Sequence, residues 1–237
     1  MATLSGRGLH GQVVNSLGAR IVQGDFGVGT LLDPDKFMEE FQVSRTVIRE
    51  SLKVLTAKGL VDARPKIGTT VAPRSQWQLL DVDVMRWRTV DRLDARLVTE
   101  LDEVRAVFEP AAAAMAAEHR TPEQLETMAA ALERLEQAAK LRDEREQVES
   151  DVAFHLAVLA ACGNELLHRF EVVLAPALYA RHELATRHAV SDEFIAQHRI
   201  VYDAIERGDA PAARQATEEL VAKSAAEIAG ILGSDQA

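Results

Sequence analysis

Apolar positions recur at helical spacing through most of the second part of the chain. Amphipathic periods run through about residues 94 to 118, 122 to 140, 144 to 161, 164 to 187, 191 to 207 and 209 to 231, and none of them alternates as a half-buried strand does. Thr121-Pro122-Glu123 is a good helix start, and Gly163-Asn164 and Gly208-Asp209 are breaks with caps. Pro110 falls inside the first period and predicts a kink or a division there. The pattern predicts an all-α bundle of antiparallel helices over residues 92 to 237.

The first part reads differently. Asp33-Pro34-Asp35 opens a short helix carrying Phe37, Met38 and Phe41, with a cap, a proline at the first position and an acid near the dipole. Gln42-Val43 makes a turn, and Ser44 caps a second helix in which Val47, Ile48, Leu52, Leu55 and Leu60 hold the buried side. Arg45, Thr46, Arg49 and Lys53 are left on the opposite face. Gly59-Leu60-Val61 stops the helix, and Arg64 to Val71, with Gly68 inside it, reads as a two-stranded ribbon. A short helix opening on Ser-Arg-Thr, a glycine stop and a ribbon is the order in which a winged helix-turn-helix reads DNA. The free N–H groups behind Ser44 point where a phosphate or base edge would lie, and Arg45 and Arg49, one turn apart, suit guanine edges or phosphates.

Between the parts, residues 75 to 91 read as a linker that becomes a short helix. Its two tryptophans, Trp77 and Trp87, are expected to dock it onto a domain. The division is therefore a DNA-binding domain over 1 to 74, a linker over 75 to 91 and a helical domain over 92 to 237. The 237-residue chain has a net charge of -10, which looks wrong for a DNA binder until it is divided. Residues 1 to 74 carry 10 Lys+Arg against 7 Asp+Glu, a balance of +3, leaving 17 against 30, or -13, for the rest. A single cysteine, Cys162, forms no internal disulfide, and no run approaches the ~20 apolar residues of a membrane span. A cytoplasmic protein with no membrane partner is the expectation.

These residues resemble the GntR superfamily of bacterial transcription regulators. Gly29, Leu32, Val43-Ser44-Arg45-Thr46, Arg49-Glu50, Leu52, Gly59-Leu60-Val61, Gly68-Thr69 and Val71 match its DNA-binding signature across residues 9 to 72. Asp33-Pro34-Asp35-Lys36 departs from the usual Pro-Ser-Glu-Arg, and Lys66 stands where glycine is frequent. At Lys36 a phosphate would then meet a point charge in place of a fork. The resemblance implies DNA contacts at Lys36, Ser44, Arg45, Thr46, Arg49, Gly68 and Thr69, made by a homodimer on near-palindromic operator DNA.

In the helical part, Asp151 and His155 stand one turn apart on one helix face, and His198 opens another helix. That spacing lets Asp151 and His155 touch one ion or one ligand, and serves a helix-surface pair equally well. The run Asp151-Val152-Ala153-Phe154-His155-Leu156, with Gly163-Asn164, His198-Arg199-Ile200, Gly208-Asp209 and Ala212-Ala213-Arg214, is similar to the effector-binding domain of the FadR subfamily, the FCD domain. The resemblance implies a divalent metal, zinc or nickel, on Asp151, His155 and His198, with a small carboxylate effector completing the coordination. A fourth family ligand falls at residue 220, where this chain has Leu220. His182 and His188 could substitute, but are assigned to charge-rich helix ends.

Arg105 would pair with Asp102 or Glu109 as a lone surface arginine. The subfamily resemblance implies instead that it faces the pocket and grips the effector carboxylate. Trp77, Leu80-Asp81, Asp83-Val84 and Trp87 are similar to a stretch in galactonate-catabolism repressors of this subfamily, which implies a sugar-acid effector and repression relieved by it. A metal-dependent hydrolase using Asp151, His155 and His198 is the rival from another class, though no metalloprotease motif, nucleophile elbow or phosphate loop accompanies it. A DNA-binding protein without a ligand is the other.

Overall fold

The computed structural model describes residues 8–89, 95–185 and 192–234, and the chain divides into two compact units, Met1–Arg92 and Leu93–Ala237.

In the first unit, helix α1 (Leu9–Val22) is followed by strand β1 (Leu31–Leu32), helices α2 (Pro34–Phe41) and α3 (Arg45–Ala57), strands β2 (Val61–Arg64) and β3 (Gly68–Val71), and helix α4 (Val82–Thr89). The expected capping holds. Asp33 accepts from the Asp35 amide (3.0 Å) with Pro34 in the first turn of α2, and Ser44 accepts from the Val47 amide (3.4 Å) at the start of α3. Between the two helices Gln42 takes the left-handed conformation at φ 52°. Ile48, Leu52 and Leu55 are buried against Leu17 and Ile21 of α1, which fixes α3 with its basic face outward.

The ribbon pairs antiparallel, Val61 opposite Val71 and Arg64 opposite Gly68, and the short β1 adds to its other edge in the order β1-β3-β2. Its tip is tight. Lys66 adopts φ 66°, a conformation that favours glycine, which accounts for the glycine frequent there in the resembling family. Gly59 is required twice over: its φ is +74°, and a Cβ on it would lie 2.0 Å from the Gln76 carbonyl oxygen.

The stretch read as a linker is folded onto this unit. The Trp77 indole N–H donates to the Ala72 carbonyl (3.2 Å), Lys58 is ion-paired with Asp81 and Asp83 (2.7 and 2.9 Å), and Trp87 is buried in the core of the first unit.

The second unit contains α5 (Ala95–His119), α6 (Pro122–Leu141), α7 (Glu144–Ala160), α8 (Glu165–His168), α9 (Glu171–Ala185), α10 (Asp192–Glu206) and α11 (Ala210–Ser234). Thr121 and Gln124 form a reciprocal capping box at α6, and Asn164 caps α8 through the Leu166 and Leu167 amides (3.0 and 3.1 Å). Of the kink or division expected at Pro110, division does not occur: α5 runs on to His119, giving up one backbone bond. One expectation needs correction. The period read as one helix over 164 to 187 is two, because α8 ends at His168 and α9 starts at Glu171.

Alanines at 113, 116 and 117 on α5 pack with Ala213 and Ala216 of α11, and the small side chains allow a close approach. Helix α7 lies deepest. Its Ser150, Asp151, Val152, Phe154, His155, Val158 and Leu159 are all buried, so polar groups on it sit among core residues. Among the described residues no helix is long and apolar enough to cross a membrane.

Candidate DNA-reading face and buried Asp-His site

The outer faces of α2 and α3 and the ribbon present the predicted DNA contacts. Lys36, Ser44, Arg45, Thr46, Arg49 and Gly68 are exposed and Thr69 is half-buried. Arg45 is ion-paired with Asp35 of α2, both with more than half of the side chain in solvent. Such a pair is worth under about 1 kcal/mol and leaves Arg45 available to a stronger partner.

Deep in the second unit, four helices deliver polar side chains to one place. From α7 come Asp151 and His155, from α10 His198, from α9 His182, and from α5 Glu109 with Arg105. Asp151 and His198 have no solvent exposure. Asp151 Oδ1, His155 Nε2 and His198 Nε2 converge, and three such ligand atoms lie within 4.8 Å of one another. The His198 nitrogen is 2.8 Å from Asp151 Oδ1 and 3.3 Å from His155 Nε2, which is itself 3.7 Å from the carboxylate oxygen.

The outer bonds of the two imidazoles fix their tautomers. His198 Nδ1 donates to the Phe194 carbonyl (2.8 Å), and His155 Nδ1 donates to Glu109 Oε2 (2.6 Å). Burial works to raise the Glu109 carboxyl, but Arg105 and His155 beside it bring it down to about 2, so it is an ionised acceptor. Burial pushes His198 below the usual imidazole range, against the opposing pull of Asp151. His155 Nε2 and His198 Nε2 both face Asp151 Oδ1, which is close to His198 yet buried without a hydrogen-bond partner. A carboxylate oxygen and two ring nitrogens gathered in this way can enclose a positive charge. An Asp-His-His donor set suits a divalent ion, with positions left open.

The Asp151 carboxylate is held from its other side by His182, whose Nε2 lies 2.8 Å from Oδ2. Burial disfavours its charge, yet the three histidines around it keep its carboxyl well below the usual range. The assignment of His182 to a charged helix end is thus corrected: it is buried and holds the central carboxylate. His188 lies outside the described residues. Arg105 is only 1% exposed, and its Nε donates to Glu109 (2.6 Å) and its Nη1 to Asp102 (3.3 Å). Both acids named as possible surface partners hold it together, but inside the protein. Glu109, linking Arg105 to His155, was missed as a site residue. The available signal was its place one turn beyond Arg105.

Glu109, Phe154, His155, Thr217 and Leu220 line a cavity of about 10 Å³, the size of a single water. Leu220 brings an apolar wall to the position of the fourth family ligand.

The description "Bacterial regulatory proteins, gntR family" matches residues 9–71, and "FCD domain" matches residues 100–223. The chain belongs to the GntR family.

Within that family it is 34% identical over 217 residues to the galactonate operon transcriptional repressor of Escherichia coli K12, covering 90% of this chain and 93% of that one. It is 31% identical over 209 residues to the transcriptional regulator LutR of Bacillus subtilis, covering 83% and 90%. In fold, the Listeria monocytogenes regulator Lar, which controls the agr system, superposes with a TM-score of 0.64 at 21% identity, covering 94% of this chain and 97% of that one. As a GntR regulator the protein is a transcription regulator and not an enzyme, which decides against the hydrolase reading of Asp151, His155 and His198. Its first unit is the DNA-binding part, and its second is an effector-binding domain of the FCD type.

Proposed function

We propose that the protein represses a sugar-acid catabolic operon as a homodimer and is released from its operator by a galactonate-like carboxylate. Arg45, Thr46 and Arg49 enter the major groove behind the Ser44 cap, Lys36 meets the phosphate backbone, and the ribbon at Gly68 and Thr69 lies toward the minor groove. In the second unit, Asp151, His155 and His198 would hold zinc or nickel, and a bound ion would supply a Lewis-acid position for the effector's carboxylate. Arg105 belongs to the same site, where it keeps Glu109 on His155. The carrying observation is the meeting of ligand atoms of Asp151, His155 and His198 within 4.8 Å of one another, with Asp151 Oδ1 buried without a hydrogen-bond partner, in a chain related over nine-tenths of its length to a galactonate operon repressor.

Because binding energies are reciprocal, operator DNA weakens effector binding by the factor with which effector weakens DNA binding. Arg45→Ala and Arg49→Ala each cost roughly 1 to 3 kcal/mol of specific operator affinity, while Lys36→Ala weakens all sequences alike and lowers the salt slope by about 1. Anisotropy of a labelled duplex at several salt concentrations reads both effects. Unchanged affinity in both arginine variants would refute the α3 assignment.

A further inference from the structure

The effector reading needs a cation with hydrogen-bond donors to spare, and Arg105 has committed two of its donor groups to the carboxylates of Glu109 and Asp102. A second guanidinium lies nearby. Arg181 precedes His182 on α9 and is 3% exposed. Its Nη2 donates to Glu227 Oε2 on α11 (3.1 Å), a carboxylate with 46% of its side chain exposed. Its Nε is buried and finds no hydrogen-bond partner among the described residues. The guanidinium lies over the Phe194 ring, with 5.1 Å from Cζ to the centroid, and the same ring packs on His198 at 4.4 Å between centroids. Arg181 is thus separated from a predicted ligand by one aromatic side chain.

A buried guanidinium N–H without an acceptor is costly, and the planar fork of arginine matches a carboxylate. The class of ligand that suits the open donor of Arg181 is a carboxylic acid.

We propose that Arg181 is the residue that receives the effector's carboxylate, with its Nε donating to it and Glu227 acting as the resident competitor. The inference rests on the effector reading and names the anion contact within it.

The test is calorimetric titration of the zinc-loaded full-length protein with galactonate and gluconate, beside separate titration of the apoprotein with zinc. Arg181→Gln is expected to bind the acid at least about 30-fold more weakly, the factor for truncating one partner of a buried charged contact, with zinc affinity unchanged. Arg181→Lys, keeping the charge without the fork, falls between. Glu227→Gln, on a half-exposed side chain, binds the acid more tightly than the wild type because the competitor is gone. If wild type takes up an acid and Arg181→Gln takes it up equally well, Arg181 is no contact and the effector reading stands. Weaker binding by Glu227→Gln overturns the inference as well. If zinc-loaded wild type binds neither acid, the galactonate-like reading fails and the inference falls with it.

Discussion

Glu109→Ala is expected to destabilise the second unit by about 3 to 5 kcal/mol, the usual cost of removing one partner from a buried ion pair. The reason is geometric. Both Glu109 oxygens are engaged at 2.6 Å, one by Arg105 and one by His155, and all three residues are buried. Truncation leaves the Arg105 guanidinium with Asp102 alone and removes the acceptor that holds the proton on His155 Nδ1. In a unit of this size each kcal/mol moves the melting temperature by about 2 to 4 °C, so a loss near 10 °C is predicted by differential scanning calorimetry. Glu109→Gln keeps the shape and one acceptor but not the charge, and falls between. Zinc affinity separates this network from simple packing, because loss of the group that orients a metal-binding histidine weakens binding about 10- to 100-fold. A variant melting within a degree of the wild type, with unaltered zinc affinity, would show that Glu109 does not tie these residues together.

Trp87→Ala should cost the first unit about 3 to 5 kcal/mol, as expected for a large aromatic lost from a core. Trp87 is 4% exposed, and its ring lies so close to Gly18 on α1 that a Cβ there would come within 2.4 Å of it. The α4 helix therefore belongs to the stability of the DNA-reading unit. Gly18→Ala is expected to lower the same calorimetric transition by forcing the ring away. If the first transition is unmoved by Trp87→Ala, α4 is an appendage and the docking of the linker contributes nothing to it.

Much of the first unit was legible because its signals are local. The Asp33 and Ser44 caps, the apolar spacing from Val47 to Leu55 and the Gly59 stop each specify structure within a few residues. Strand β1 was not legible: Leu31 and Leu32 form a strand only because Thr69 and Thr70 lie opposite them, and two residues carry no periodicity. At Pro110 local chemistry left a kink or a division open, and α5 runs on undivided because its packing against its neighbours outweighs one missing backbone bond. The Asp151-His155 spacing and His198 were readable as a potential ligand set. Glu109 and His182 were not, because a polar residue on a buried helix face looks in sequence like an interruption of the apolar pattern. Only the approach of α5 and α9 to α7 turns them into partners of His155 and Asp151.

The central claim is that the site around Asp151 governs DNA binding through a sugar acid. It is tested most directly by fluorescence anisotropy of a labelled duplex from immediately upstream of the protein's own gene, at fixed salt and with zinc present, titrated with and without galactonate. The account predicts tight binding that galactonate reverses in the wild type. It also predicts equally tight binding that galactonate leaves in place when both Asp151 and His198 are replaced by alanine. Tight binding by the wild type that neither galactonate nor any related sugar acid disturbs would contradict it.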